Sequence, residues 1–233
     1  DPGSDVFTGI VDFEGVPLGT SPSLGEADTI VERLADAPMP DCPDSSATVP
    51  IMIRALSLRS VSPMTVTYNG GFSPEPWDVR VFLAVGPQPL GSMTIQQQCS
   101  GGGIFNSSLP VHWKVEMTRQ SDLAVRVFDT LAEGLPPTMF TSSGNWVYLP
   151  DPGFGATQAA PGTQVDTNGD GVFDTIIAGS SNFFPGFEQL GCTSCKVPPD
   201  GQNKPPLTGE DAQWAAHGVN PANKEVCGQP FGP

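Results

Sequence analysis

Oxygen-bearing side chains recur at alternate positions in Asp166-Thr167-Asn168-Gly169-Asp170-Gly171-Val172-Phe173-Asp174. With Asp166 as position one, side-chain oxygens fall at one, three and five (Asp166, Asn168, Asp170) and a glycine at six (Gly171). A backbone carbonyl follows at seven (Val172) and a carboxylate at nine (Asp174). A short loop wraps Ca²⁺ in this way: the cation takes hard, anionic oxygens, and the glycine permits the sharp turn between them. Position twelve is Ile177 rather than glutamate, so the missing bidentate ligand must come from elsewhere; Asp151 and Glu188 are the candidate suppliers. The competing explanation is an Asx-rich turn that binds nothing. A bound Ca²⁺ here is expected to order the loop rather than to catalyse.

Five cysteines give the second signal: Cys42, Cys99, Cys192, Cys195 and Cys227. In an oxidising compartment they are disulfide candidates, and an odd count leaves one free or paired outside the chain. Cys42 and Cys99 lie beside expected strands and are a candidate pair. Cys192, Cys195 and Cys227 with His217 have the ligand count of a Cys₃His zinc site, at irregular spacing. Cys192-Thr193-Ser194-Cys195-Lys196 is a variant of a haem-attachment motif with lysine in place of histidine.

No catalytic constellation accompanies these residues. The chain holds 2 histidines, and neither lies near a Ser/Asp or Cys arrangement readable as a triad. His112 falls on the polar side of an expected strand. No carboxylate pair has a context that would raise one pKa for general-acid work. The expectation is a non-enzyme. Asn106-Ser107-Ser108 is a glycosylation sequon. Trp77, Trp146 and Tyr148 could stack on sugars, although such residues more often fill a sandwich core.

Composition narrows the partners. There are 25 Asp plus Glu against 10 Lys plus Arg, for a net charge of −15. Such a surface repels phosphate, so neither nucleic acid nor an anionic membrane is an expected partner. It favours divalent cations and keeps a secreted protein soluble. No apolar run approaches the ~20 residues that span a bilayer. The chain opens Asp1-Pro2-Gly3-Ser4 without an initiator methionine, as a processed or trimmed form would.

The elements that must carry these residues are strands. Charged residues are 15% of the chain, with 27 glycines and 26 prolines, a composition suited to short strands and tight turns. In residues 77–85 the odd positions Trp77, Val79, Val81, Leu83 and Val85 are apolar. In residues 111–118 Val111, Trp113, Val115 and Met117 alternate with polar residues. A period of two marks a strand with one face on a core. Residues 48–68 read as one long or two bent strands broken near Ser62-Pro63, and Asn69-Gly70-Gly71 as a hairpin turn. Further strands are expected near 92–98, 123–128 and 144–149, and residues 28–34 lean to strand over helix. Ser100-Gly101-Gly102-Gly103 reads as a flexible loop. A leading strand over residues 5–13 places Phe7, Val11 and Phe13 on one side; it must pair with a sheet edge, its own or a neighbour's. After residue 150 turn residues dominate, and a short helix is expected from a Thr208 cap to Gly218.

Several stretches occur in a fixed order: Gly15-Val16-Pro17-Leu18-Gly19, Asp28-Thr29-Ile30-Val31-Glu32-Arg33-Leu34, Val49-Pro50-Ile51 through Ala55-Leu56-Ser57-Leu58-Arg59-Ser60-Val61, Trp77-Asp78-Val79-Arg80-Val81, Gly91-Ser92-Met93-Thr94-Ile95 and Phe105-Asn106-Ser107-Ser108-Leu109-Pro110-Val111. Over roughly residues 1–150 this resembles a family of secreted bacterial proteins, often seen in planctomycete-like genomes and beside PEP-CTERM-type sorting tails. The family has no assigned activity, so the resemblance implies secretion and a β-rich fold but no catalytic residues. In broader features the chain also resembles β-rich subunits of environmental extracellular filaments.

The expected architecture is all-β: a β-sandwich, immunoglobulin-like or jelly-roll-like, with a calcium loop and an irregular cysteine-bearing C-terminal segment. Residues 1–25 would be a strand and linker, 26–150 the sandwich, and 151–233 the Gly/Pro-rich region. The expected function is an extracellular or cell-surface structural subunit. It would form filaments, by helical assembly, or a surface layer, through strand or tail exchange between copies stabilised by Ca²⁺. Val6, Phe7, Ile10, Val11 and Phe13 would be the assembly arm. The alternative is a secreted calcium-dependent carbohydrate-binding module, with glycans as partners.

Overall fold

The computed structural model describes residues 2–18, 27–38, 46–99, 102–147, 160, 162–167, 172–177 and 183–185. Among them the chain is all-β, with no helix. The strands run β1 (Phe13–Gly15), β2 (Thr29–Arg33), β3 (Ser46–Ser60), β4 (Met64–Tyr68), β5 (Ser73–Leu83), β6 (Gly91–Cys99) and β7 (Gly102–Val111). They continue with β8 (Trp113–Arg119), β9 (Val125–Asp129), β10 (Thr138–Val147), β11 (Thr163–Val165), β12 (Thr175–Ile177) and β13 (Phe184–Pro185). Every pairing is antiparallel.

β3 is the strand through which the rest connects. Residues 46–51 pair with β6, and β6 continues to β7, β10 and β13. Residues 57–59 of the same strand pair with β5, which continues to β8 and β9. β2 and β1 line β3 along residues 51–56 and 58–60. The result is a large antiparallel assembly of two sheets that share one 15-residue strand, consistent with the sandwich class. A separate hairpin is formed by β11 and β12.

Alternation builds the core. On β3, Val49, Ile51, Ile53 and Ala55 are buried, while Pro50 and Arg54 between them are exposed. Val49 lies opposite Met93, Ala47 opposite Ile95, and Ile95 opposite Phe105, so one apolar face runs across β3, β6 and β7. Ala37, Trp146 and Phe183 complete this cluster. Phe183 stacks on Trp146 (centroids 5.3 Å apart, 27° between planes) and meets Phe105 edge-on at 5.6 Å. Core residues therefore come from both sides of position 150.

Prolines sit where a sheet tolerates them. Gln120 donates its backbone N–H to the Pro76 carbonyl, so Pro76 faces the β8 side, past the end of that strand. Its missing N–H costs no ladder bond there. The β4–β5 hairpin turns at Asn69 (φ 55°) and Gly70 (φ 70°), the left-handed pair that matches strand twist.

Four expectations need correction. The alternation over residues 111–118 is not one strand: β7 ends at Val111, β8 begins at Trp113, and the two belong to different sheets. Val85 does not share the buried face of Trp77, Val79 and Val81; it lies beyond the end of β5 and is largely exposed. Gly102 and Gly103 are not flexible loop but the first residues of β7, drawn into the ladder by close backbone neighbours. The leading strand is confined to residues 13–15, with a lone bridge from Ser4 to Tyr68 upstream. The break at residues 61–63, the hairpin at Asn69-Gly70 and the strand over residues 29–33 are as expected. The helix expected from Thr208 lies outside the described residues.

Candidate calcium loop and assembly segment

The β11–β12 hairpin holds the two ends of the calcium-type loop together. Val165 pairs with Thr175, and Asp174 donates its backbone N–H to the Val165 carbonyl at 3.0 Å. The Asp174 carboxylate accepts the Thr167 hydroxyl at 2.8 Å and the Thr167 backbone N–H at 3.2 Å. Position nine is thereby tied back to position two. Asp166, at position one, is only 6% exposed, whereas Val172, Phe173 and Asp174 are exposed. Asn168 and Asp170 lie outside the described residues. Among the described residues no group of three or more His, Cys, Asp or Glu is gathered for a metal.

The donor chemistry fits a hard cation. Asp166 and Asp174 carry the anionic oxygens that such an ion takes. The hairpin also has a firm base. Val165 is fully buried against Leu18 and Ala55, with Ala27, Ile30 and Ile177 packed around them. Order in the loop is thus coupled through Val165 to β3 and to the segment that follows β1.

The proposed arm residues lie along one edge of the molecule. Asp5 fixes the start: its N–H donates to the Thr67 carbonyl at 2.8 Å, and its carboxylate accepts the Gly70 and Gly71 N–H groups at 3.1 and 2.8 Å. These bonds, that from Gly70 foremost, hold the Asp5 carboxyl below its ordinary pKa. The Asp12 carbonyl fixes the other end by accepting the Val61 N–H. Between the two anchors residues 6–11 belong to no strand. Val6 is 88% and Ile10 91% exposed; Phe7 and Phe13 are also exposed, and Val11 is partly buried. Asp5, Val6, Phe7, Thr8 and Gly9 face Thr65 and Thr67 of β4 across a groove of about 230 Å³.

The remaining candidates separate widely. Trp77 and Trp146 are core residues, with the Arg119 guanidinium over the Trp77 ring at 5.3 Å, so neither offers a platform for sugar. Tyr148 lies outside the described residues. His112 is not a solvated strand residue: it occupies the crossing between the sheets, where Gln88 bonds both its N–H and its carbonyl, and its Nδ1 is buried. Asn106 is exposed on β7. Cys99 ends β6; Cys42, Cys192, Cys195, Cys227, His217, Asp151 and Glu188 lie outside the described residues. Sequence reasoning missed Asp5 and Thr167. An Asp four residues into a chain carries no signal of its own, and Thr167 occupies a loop position assigned no ligand.

Comparison with known proteins supplies no relative: no family model, no curated protein and no solved structure matches the chain. Among the described residues no helix is long and apolar enough to cross a membrane.

Among the described residues the buried charged side chains are Asp166 and Arg33. Arg33 lies beneath the Phe183 ring at 5.5 Å, and burial pushes its pKa down to about 10, with Asp36 opposing the shift. It therefore remains cationic at neutral pH.

Proposed function

We propose that this chain is an extracellular structural subunit that assembles into filaments or a surface layer by strand exchange, with Ca²⁺ ordering the loop of residues 166–174. The observation that carries the proposal is the N-terminal segment. Residues 6–11 expose Val6 and Ile10 almost completely while their backbone lies outside any strand. Apolar side chains on an extended segment gain little in water and much on a neighbouring sheet edge, where backbone bonds add to burial. An arm on one surface and an edge on another make a head-to-tail contact, which propagates into a fibre unless its rotation closes a ring.

Calcium has two roles in this proposal. It would neutralise part of the −15 charge that keeps copies apart. It would also steady the hairpin whose Val165 packs on Leu18, the residue that roots the arm in the core. Electron microscopy of the full chain, with Ca²⁺ and after EDTA, tests both. Ordered fibres that fray in EDTA are the expected result. Dispersed particles in both samples, at high concentration and with residues 1–13 intact, would overturn it and direct attention to glycan screening.

A further inference from the structure

We propose that the β4–β5 hairpin of one copy takes residues 2–5 of a second copy, in the place that its own N-terminal segment fills, so that strand exchange is a swap of like for like. This rests on the strand-exchange proposal above and names the site that receives the arm.

The site is defined by its occupant. Ser4 bridges Tyr68 in antiparallel register, and Asp5 donates its N–H to the Thr67 carbonyl at 2.8 Å. The Asp5 carboxylate then accepts the Gly70 and Gly71 N–H groups at 3.1 and 2.8 Å. Both glycines hold a positive φ, 70° and 94°, with Asn69 before them at 55°. Successive N–H groups in a turn of this kind make a concavity for an anion. The hairpin thus recognises an extended backbone and, beside it, a carboxylate. Residues 2–5 fit that description in whichever copy they belong to. Exchanging an identical element makes each of these bonds again, which is why it is a low-cost route to association.

The side chains around this bond point to a second copy. Among the described residues the three most exposed large hydrophobics are Ile10 at 91%, Val6 at 88% and Phe72 at 88%. Val6 follows Asp5 in the chain and Phe72 follows Gly71, so two of the three flank one hydrogen bond. Val61, whose N–H donates to the Asp12 carbonyl, is 60% exposed at the other anchor of the segment. Apolar side chains left in water at both anchors of one segment mark a contact surface. A second copy crossing at the hairpin would cover them.

Charge and reach both allow the exchange. Two copies, each at −15, repel across most of their surfaces. Residues 6–11 hold no charge, and neither do residues 64–72 of β4 and its turn. Asp5 is the carboxylate that the segment brings to the hairpin, and two N–H groups receive it. Residues 6–11, fully extended, span about 20 Å. That length lets residues 2–5 leave their own hairpin while β1 stays paired with β3. Passed from copy to copy in one direction, the swap builds a fibre.

Two full-length variants and their mixture test the swap in Ca²⁺, by analytical ultracentrifugation and electron microscopy. Asp5→Pro disables the arm, because it removes both the N–H given to Thr67 and the carboxylate held by the turn. Thr65→Glu/Thr67→Glu disables the hairpin, because both threonines face residues 5–9 across the groove and carboxylates there repel Asp5. Circular dichroism spectra matching the wild type show that the sheets are intact. Should the double variant alter the spectrum, Phe72→Glu places a carboxylate beside the same turn at an exposed position. Wild type should polymerise and each variant should remain monomeric. An equimolar mixture should give dimers and nothing larger, because one intact arm meets one intact hairpin. Polymers from either variant at wild-type level would overturn this assignment and leave strand exchange standing. Two monomeric variants that give no dimer on mixing would show that the hairpin holds only the arm of its own copy, and would overturn the swap. A wild-type chain that never associates would overturn the strand-exchange proposal and this inference with it.

Discussion

The Asp5 carboxylate accepts N–H groups from Gly70 and Gly71, and a charge held in this way resists protonation. Its folded pKa lies below the ordinary value of 3.8. The sign of the linkage follows: the contribution is complete above 3.8 and is lost as pH falls through the lower folded value. The protection of the Gly70 and Gly71 amides, taken relative to their intrinsic exchange rates at each pH, should therefore be high at neutral pH and fall as pH drops below 3.8. Asp5→Asn should lower that protection at both, with an unchanged circular dichroism spectrum. A second residue-scale expectation concerns the loop. Asp170→Asn removes one anionic oxygen, and calorimetric titration should show Ca²⁺ affinity falling by at least about tenfold. At a Ca²⁺ concentration of about 100 times Kd, wild type should gain ~2.7 kcal/mol of stability that EDTA removes.

At the scale of elements, the ladder β6–β7–β10 depends on glycines that admit close backbones. A Cβ on Gly103 would stand 2.0 Å from the Gln96 carbonyl oxygen, so main chain rather than a movable side chain blocks it. Gly103→Ala should cost roughly 3 kcal/mol in a urea titration, with the strand displaced rather than merely strained. The same ladder shows where sequence reasoning reaches its limit. β3 and β5 were legible because Val49, Ile51 and Ile53, and Trp77, Val79 and Val81, alternate with residues left in solvent. β7 and most of β10 were not: Gly102, Gly103, Asn106, Ser107 and Ser108, like Ser142, Ser143 and Gly144, are poor strand formers held in place by their neighbours. The change of sheet at His112 was hidden for another reason. Alternation continues through Val111 and Trp113, and a period of two is silent about which strand lies alongside. The loop motif could be read in full from residue types, but not its footing, because Val165 reaches the Leu18–Ala55 cluster from a strand of 3 residues.

For the molecule as a whole, sharing β3 removes any seam along which the sheets could melt separately. Losing β3 exposes Val49 and Ile51 in one sheet and strips β5 of a partner in the other. Differential scanning calorimetry of the monomeric chain in Ca²⁺ should show one transition over the described sheets, with calorimetric and van't Hoff enthalpies equal. Two resolved transitions would mean that the sheets unfold independently. The shared strand has a mechanical consequence too. In a fibre joined by strand exchange, tension enters one subunit through β1, which is hydrogen-bonded to residues 58–60 of β3, and reaches the sheet of β6, β7 and β10 through that strand. Between those sheets the pull is borne by the covalent backbone of β3, and the weakest links under load are the short β1–β3 ladder and the contact between copies. A stretched fibre would then give way at its joints, leaving subunits whole and able to reattach.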